Sequence, residues 1–396
     1  MNQPYEGVRV VDLSGLAGAY GARLLAATGA EVIKVEPPVG SPLRRLAPFV
    51  DGAPEPEGSL WWAYLAMGAK SAVVDLGPDA AAGGPATERG RDDLMGLLSS
   101  ADVVIDDNGP DTLDRLGVGY DDVAAGNPGV VWVAITPFGR EGPKRGWASS
   151  NLVALAASGI LYTVGFEDQP PVVPGGPAQM AMQATALNAA MAAALGLRGR
   201  RLGGRGQRVD LSMAEVCLGM APETGIPVFL DDRVHRTRSG NRRSLSRPFG
   251  LYPCADGYVS ILVLMPRHWE AIAQWANEAC GNEAIIDPVF ADIGVRGETM
   301  ELVDSWVEEL TTSMTVLEFF QEGQRRGIPI TPVNTVESLR TDPHLDAVGF
   351  WDSVELPAGG KTAVPGPPFR DNAGWWRLAR APRLGEHTAE VIGSGG

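Results

Sequence analysis

Between Gln169 and Val209 the chain carries no aspartate and no glutamate, although acidic residues outnumber basic ones 48 to 33 over the whole sequence. Chemistry that needs a carboxylate must find it outside this Ala- and Gly-rich stretch. Cysteine is scarce as well. Cys217, Cys254 and Cys280 are odd in number and far apart, and they match no CxxC or CxxxxC spacing. That argues against a disulfide framework or a thiolate metal site and predicts free thiols in a reducing cytoplasm. The four histidines, His235, His268, His344 and His387, share no ligand spacing and follow no GxSxG, so no metal is expected. Met1 to Gly7 has no basic segment ahead of an apolar core, and neither a signal peptide nor an anchor is expected. The run nearest to membrane length, Met180 to Leu197, contains Gln183, Thr185 and Asn188, which suits a buried helix. The net charge of −15 repels nucleic acid and anionic membranes over most of the exterior and favours a small-molecule partner.

At 396 residues, 44% of them hydrophobic, the chain exceeds one ordinary core, and two domains are expected. Val8 to Asp12 reads as a buried strand, Leu16 to Thr28 as a small-residue helix, and Glu31 to Glu36 as a second strand. This βαβ opening implies a parallel sheet with a right-handed crossover. The alternation continues through Ser71–Asp75, a helix around Asp92 to Ser100, Val103–Ile105 and Val130–Ile135. The fold class is α/β, with a Rossmann-like large domain and a smaller α/β domain. A long Ala-rich helix from Gln179 ends at the basic run Arg198 to Arg208, and Val209 to Ser212 follows as a strand. Gly250 to Leu264 looks β-rich with a turn at Ala255-Asp-Gly257, Arg267 to Leu345 mostly helical, and Val354 to Arg370 extended. The expected division is 1–225 for the first part of the large domain, 226–246 for a linker, 247–333 for the small domain and 334–396 for a segment returning to the large one.

Gly15, Gly18 and Gly21 after the first strand invite a dinucleotide reading, because glycines let backbone approach phosphate. Their spacing is GxxGxxG, and the second strand runs into Glu36-Pro37-Pro38 without an acid poised over a ribose, so NAD is not expected.

Several signatures occur in one order: Gly7-Val-Arg-Val-Val-Asp-Leu-Ser14, Gly29-Ala-Glu-Val-Ile-Lys-Val-Glu36-Pro37, Pro137-Phe-Gly139 with Gly142-Pro143, Gly204-Arg-Gly-Gln-Arg-Val-Asp-Leu-Ser212, Gly240-Asn241, Ala255-Asp-Gly257, Gly327-Ile-Pro-Ile-Thr-Pro-Val333, Asp342-Pro343 and Ala381-Pro-Arg-Leu-Gly-Glu-His-Thr388. From Gly7 to Ile392 the sequence resembles the family III CoA-transferases, also known as the CaiB/BaiF group, which includes formyl-CoA transferase, carnitine CoA-transferase and α-methylacyl-CoA racemase. The resemblance implies a large domain built from both chain ends and an interlocked homodimer. Acyl-CoA and a carboxylic acid would be its substrates, with no tightly bound cofactor. It also implies CoA contacts from Leu16, Ala17, Arg44, Lys70, Asn108, Arg140 and Lys144.

Enzymes of the family use an aspartate carboxylate that attacks the acyl-CoA, giving a mixed anhydride and then an aspartyl-CoA thioester. Counting forward from Gly165 puts that position at Met180, and counting back from Gly204 puts it at Ala181 or Met182. Nearby stand Asp168, Gln179 and Gln183; an amide is no nucleophile, and a thioether cannot form an anhydride. For racemisation the family's His falls near Ser149 and its Glu at Met265, so that reaction is not expected. The family's Glu-Asn-Phe-x-Pro-Gly loop reads Asp106-Asp-Asn-Gly-Pro110-Asp111, which loses the Phe and adds charge near the phosphates. Three readings stay open: an active acyl-CoA enzyme with altered chemistry, a silent subunit beside an Asp-bearing paralogue, and a ligand-binding regulator in the old pocket.

Overall fold

Runs rich in β-branched residues, short enough to be strands and bounded by Gly and Pro, form six parallel strands. They are β1 (Arg9–Asp12), β2 (Glu31–Glu36), β3 (Lys70–Val73), β4 (Val103–Asp106), β5 (Val131–Thr136) and β6 (Gln207–Ser212). The computed structural model describes residues 3–77, 84–174, 179–221, 238–242 and 247–393. The sheet order is β3-β2-β1-β4-β5-β6, and every neighbouring pair runs parallel. Each residue of β4 and β5 is buried, as a sheet covered on both faces requires. Strand order reverses between β1 and β4, and ligands of open α/β sheets bind outside the carboxyl ends of strands at such a point.

Two helices on one face account for the small residues of the long Ala-rich run. Helix α1 (Leu16–Ala27) is crossed by the long helix Met180–Gly203, whose Ala181, Thr185, Ala186, Ala189, Ala193 and Gly196 are buried. A Cβ on Gly21 would lie 2.2 Å from the Ala186 carbonyl oxygen, and one on Gly196 would lie 2.4 Å from Val131 Cγ1. Only small side chains fit where the long helix meets α1 and β5, which sets the composition of its buried face. The helix ends on Gly204 in the left-handed region (φ 74°), whose N–H returns to the Arg200 carbonyl, and Arg200 and Arg201 complement the helix dipole. Among the described residues it is the one helix long and apolar enough to cross a membrane. Its other face leaves Leu187, Met191, Leu195 and Leu202 more than half exposed.

Contacts divide the chain into two units, Met1–Leu161 with Val173–Val234 and Val348–Gly396, and Tyr162–Val172 with His235–Ala347. The expected small domain, 247–333, lies inside the second unit, which also takes in Tyr162–Val172 and runs on to Ala347. Most of the expected linker, including His235, lies outside the described residues. The second unit is built on an antiparallel sheet of β7 (Phe249–Cys254), β8 (Gly257–Leu262) and β9 (Ile330–Pro332). Its helices Pro266–Cys280 and Val316–Arg325 meet through the stacked rings of Trp275 and Phe319, 4.6 Å apart.

The extended tail expected from Val354 is a hairpin, β10 (Trp351–Glu355) with β11 (Lys361–Pro365), whose Val354 and Val364 are buried with Met67. Gly359 and Gly360, both at positive φ, make its turn. Beyond it, Pro382 accepts the Trp62 indole N–H at 2.9 Å and the His387 N–H reaches the Ser71 carbonyl at 2.9 Å, so the chain end closes over β3.

Candidate functional site

The switch point rests on a buried charged floor. Lys34 of β2 donates to Asp12 of β1 at 2.9 Å, and both side chains are only 3% exposed. Asp12 also accepts from the backbone N–H and hydroxyl of Ser14 at 2.8 and 2.6 Å, and Lys34 donates to the Ser14 carbonyl. The pair fixes the turn that carries the chain from β1 into α1.

Above this floor lies a cleft of about 360 Å³ between the carboxyl ends of β1 to β4, with Ser14, Gly15, Pro37, Asp75, Asp107 and Asn108 among its lining residues. Its three signature glycines serve packing. The Gly15 N–H is held by the two Asp107 carboxylate oxygens at 2.8 and 2.7 Å. A Cβ on Gly18 would meet Ser14 Oγ at 2.4 Å and Ile105 Cγ2 at 2.8 Å, and Gly21 admits the long helix. The Glu36 carboxylate, which would have to face a ribose, is consumed within the protein by the Ser41 N–H, the Ser71 hydroxyl and Arg44.

Burial pushes the Asp107 carboxyl up to about 6; the Gly15 N–H and Lys34 oppose the shift, while Asp106 and Asp12 add to it. Asp106 is raised too, chiefly by burial, although Asn108 and the Trp132 indole stabilise its charge. A raised folded-state value contributes stability that is fully present below the unfolded value of 3.8 and is lost as pH rises through about 6. Thermal melts of Asp107→Asn against the parent are therefore expected to show a gain at pH 8 that shrinks to nothing towards pH 3.

Of the seven expected CoA contacts, only Asn108 lines this cleft; its amide bonds the Leu13 carbonyl at 3.2 Å and Asp106 at 2.9 Å. Leu16 and Ala17 form the first turn of α1 beside it, with Ala17 in the core. Arg44 departs most from expectation. Its guanidinium, 0% exposed, binds Glu36 through two nitrogens at 2.7 and 2.9 Å and Glu57 at 2.7 Å, and lies over the Trp62 ring at 3.7 Å. No face remains for a phosphate, because two carboxylates outcompete an outside anion for a buried cation. Lys70 is engaged by Glu31 and Glu390 at 2.7 and 2.6 Å on the edge strand. Arg140 bonds Asp114 at 2.7 Å, while its backbone N–H is capped by Asp210. Lys144 is exposed near the rings of Phe138 and Trp147. In the basic run, Arg200 pairs with Asp102 at 2.8 Å, at the opposite end of β4 from the cleft.

The sequence positions expected for the nucleophile start the long helix. Met180 is 45% exposed, Ala181 is fully buried and Met182 packs partly buried against the core. The first turn holds no acidic residue. Instead Asn151 Oδ1 accepts the backbone N–H groups of Ala181 and Met182 at 2.9 and 3.4 Å, a side-chain acceptor that no motif signalled. Gln179 caps the helix in the left-handed region (φ 51°), and Gln183 donates its backbone N–H to the Gln179 carbonyl at 2.9 Å. Asp168 lies exposed in the second unit. No group of three or more His, Cys, Asp or Glu side chains placed to hold a metal occurs among the described residues.

Comparison with known proteins agrees over nearly the whole length. CoA-transferase family III matches residues 5–388. Subunit BbsE of succinyl-CoA:(R)-benzylsuccinate CoA-transferase from Thauera aromatica is 32% identical over 99% of this chain and 94% of its own. Succinyl-CoA--D-citramalate CoA-transferase from Chloroflexus aurantiacus is 31% identical over 98% of this chain and 93% of its own. The crystal structure of a CaiB/BaiF family protein from Brucella suis superimposes with a TM-score of 0.86 at 27% identity, covering 99% of both chains. The family match over residues 5–388 and similarity from end to end together make this chain a member of CoA-transferase family III.

Proposed function

We propose that this chain binds an acyl-CoA thioester in the switch-point cleft and acts as the nucleophile-free subunit of a CoA-transferase, beside a family III chain that carries the catalytic aspartate. One observation carries the reading: the long helix begins Gln179-Met180-Ala181-Met182-Gln183, and its first turn offers backbone N–H groups and an Asn151 cap but no carboxylate. A relative 32% identical over almost the same length is itself named as a subunit. The exposed apolar face of the long helix also favours a second chain, since Leu187 and Met191 open onto a groove lined by Phe369 and Trp376.

In this reading the partner's carboxylate attacks the thioester carbonyl, and CoA leaves as thiolate while the acyl–aspartyl anhydride forms. The thiolate then attacks the aspartyl carbonyl, releasing the acyl group as its carboxylate and leaving aspartyl-CoA. An acceptor carboxylate reverses the two steps and departs as the new thioester. This chain contributes fold and binding surface and touches none of the proton or acyl transfers.

The test is succinyl-CoA with hydroxylamine trapping, read by intact mass. The chain alone is expected to give no adduct, and an adduct on it would overturn the reading. Co-expressed with an Asp-bearing family III chain it should form a mixed assembly in native mass spectrometry, labelled only on the partner. Met180→Asp or Met182→Asp should give the isolated chain a hydroxylamine-sensitive adduct, because either places a carboxylate at a helix amino end that favours negative charge.

A further inference from the structure

The motif Ala381-Pro-Arg-Leu-Gly-Glu-His-Thr388 takes no part in the reading above, yet it has a defined place in the fold. Among the described residues β3 ends the sheet on one side, paired only with β2. An edge strand turns unpaired N–H and C=O groups outward and offers them to other chains. On β3 these groups are occupied. The Ser71 N–H donates to His387 Nδ1 at 3.3 Å, the Ser71 carbonyl accepts the His387 N–H at 2.9 Å, and the Val73 N–H donates to Thr388 Oγ1 at 2.9 Å. The Gly385 N–H also reaches the Ser71 hydroxyl at 2.9 Å, and Glu390 pairs with Lys70. Two of the three bonds to the β3 backbone use side chains of the covering segment, so it caps the edge without forming a seventh strand.

Burial divides the segment in two. Ala381 and Pro382 are buried, and the Pro382 carbonyl accepts from the Trp62 indole at 2.9 Å and from Arg44 at 3.3 Å. Residues 383–392 contain no buried residue. Apart from their bonds to β3, they are held by the Leu384 N–H on Glu57 at 2.9 Å and by Val391 and Ile392, which rest partly buried against the core. A few hydrogen bonds near solvent with little apolar burial let a segment open at lower free energy than the core it covers. Strand β4, buried at every residue, is the contrast.

We infer that residues 383–392 form a releasable latch on the sheet edge, opening as one unit about the buried Ala381-Pro382 and freeing the Ser71 and Val73 backbone to pair with the same edge of a second copy. Two released molecules present identical edges. A two-fold axis between them sets β3 antiparallel to itself, and that pairing gives new partners to the groups the latch had held. Closed, the latch guards the edge; its cost is the ordering of a short segment that buries almost nothing.

Gly385 allows the latch to be locked. A Cβ there would lie 3.9 Å from Val73 Cβ, within the range of a disulfide. Val73→Cys combined with Gly385→Cys is therefore latched when oxidised and free when reduced, and any strain from a side chain at Gly385 (φ 67°) is common to both states. Hydrogen exchange and sedimentation velocity over a wide concentration range read the outcome. In the parent, the amides of Leu384, Gly385, His387, Ser71 and Val73 should exchange together and faster than those of β4. Oxidation of the double variant should slow this group and abolish the larger species that the reduced form gains with concentration. Thr388→Val, which removes the acceptor of the Val73 N–H, should speed the group about fivefold, the scale of one hydrogen bond. Exchange of residues 384–387 as slow as that of β4 would overturn the latch, as would protection of Ser71 and Val73 that outlasts it. Equal self-association of the oxidised and reduced forms would overturn its role as a guard.

Discussion

Gly21→Val is expected to remove about 4 kcal/mol of stability, enough to leave a domain of ordinary stability with little folded material. The added Cβ alone would stand 2.2 Å from the Ala186 carbonyl oxygen and 3.2 Å from the Ala190 backbone nitrogen. Both atoms belong to a helix backbone, so no rotamer relieves the contact. The long helix must back away from α1, and Ala181, Ala189 and Ala193 then lose the burial that holds the core on that face of the sheet. Gly96→Ala is the matched control. Gly96 lies in the helix Glu88–Ser99 with nothing within 4 Å of an added Cβ, so the change should stabilise by about 0.5–1 kcal/mol through helix propensity. Urea unfolding of both variants checks the pair, and a Gly21→Val midpoint equal to the parent's would refute the crossing argument.

Arg44→Ala should cost about 3–5 kcal/mol, the range found when one partner of a buried ion pair is removed. It strips the cation from Glu36, whose side chain is 0% exposed, and from Glu57, and it takes away the guanidinium stacked on Trp62. The remaining Ser41 and Ser71 donors cannot compensate a buried carboxylate. Arg44→Met combined with Glu36→Gln should recover part of the loss, because the penalty comes mostly from the orphaned charge. If the double variant were as unstable as Arg44→Ala, the cost would lie in packing on Trp62 and not in the ion pair. Arg44→Lys should fall between, having charge without the fork that binds Glu36 through two nitrogens.

Much of the architecture was legible because its causes are local. Val103–Ile105 and Val130–Ile135 are apolar runs bounded by turn residues, and they became the two most deeply buried strands. The Ala-rich run from Gln179 became one 24-residue helix, since composition, length and the Gly204 stop all agree. The hairpin Trp351–Pro365 was less legible. Its strands pair with each other and with Met67, and that partner lies far away in sequence.

Site residues were harder, because whether a charged side chain is free depends on what else is nearby. Arg44 and Lys70 have the right chemistry for phosphate, yet Glu36, Glu57, Glu31 and Glu390 hold them. Nothing in the spacing announces that Glu390 returns to Lys70 or that Pro382 returns to Trp62. Asp107 could be read as an added charge in a loop, but its grip on Gly15 needs β1 and β4 to be neighbours.

The stretch from Gln169 to Val209 divides these contributions. Its sequence by itself determined that no carboxylate stands anywhere between Gln169 and Val209, because the absence of a residue type needs no coordinates. Tertiary structure decided why the helix within it is so small-featured, through the approach of α1 at Gly21 and of β5 at Gly196, and which acid lines the cleft beside Gly15. Close contact and charge neutralisation are properties of pairs of residues, and the fold chooses the pairs.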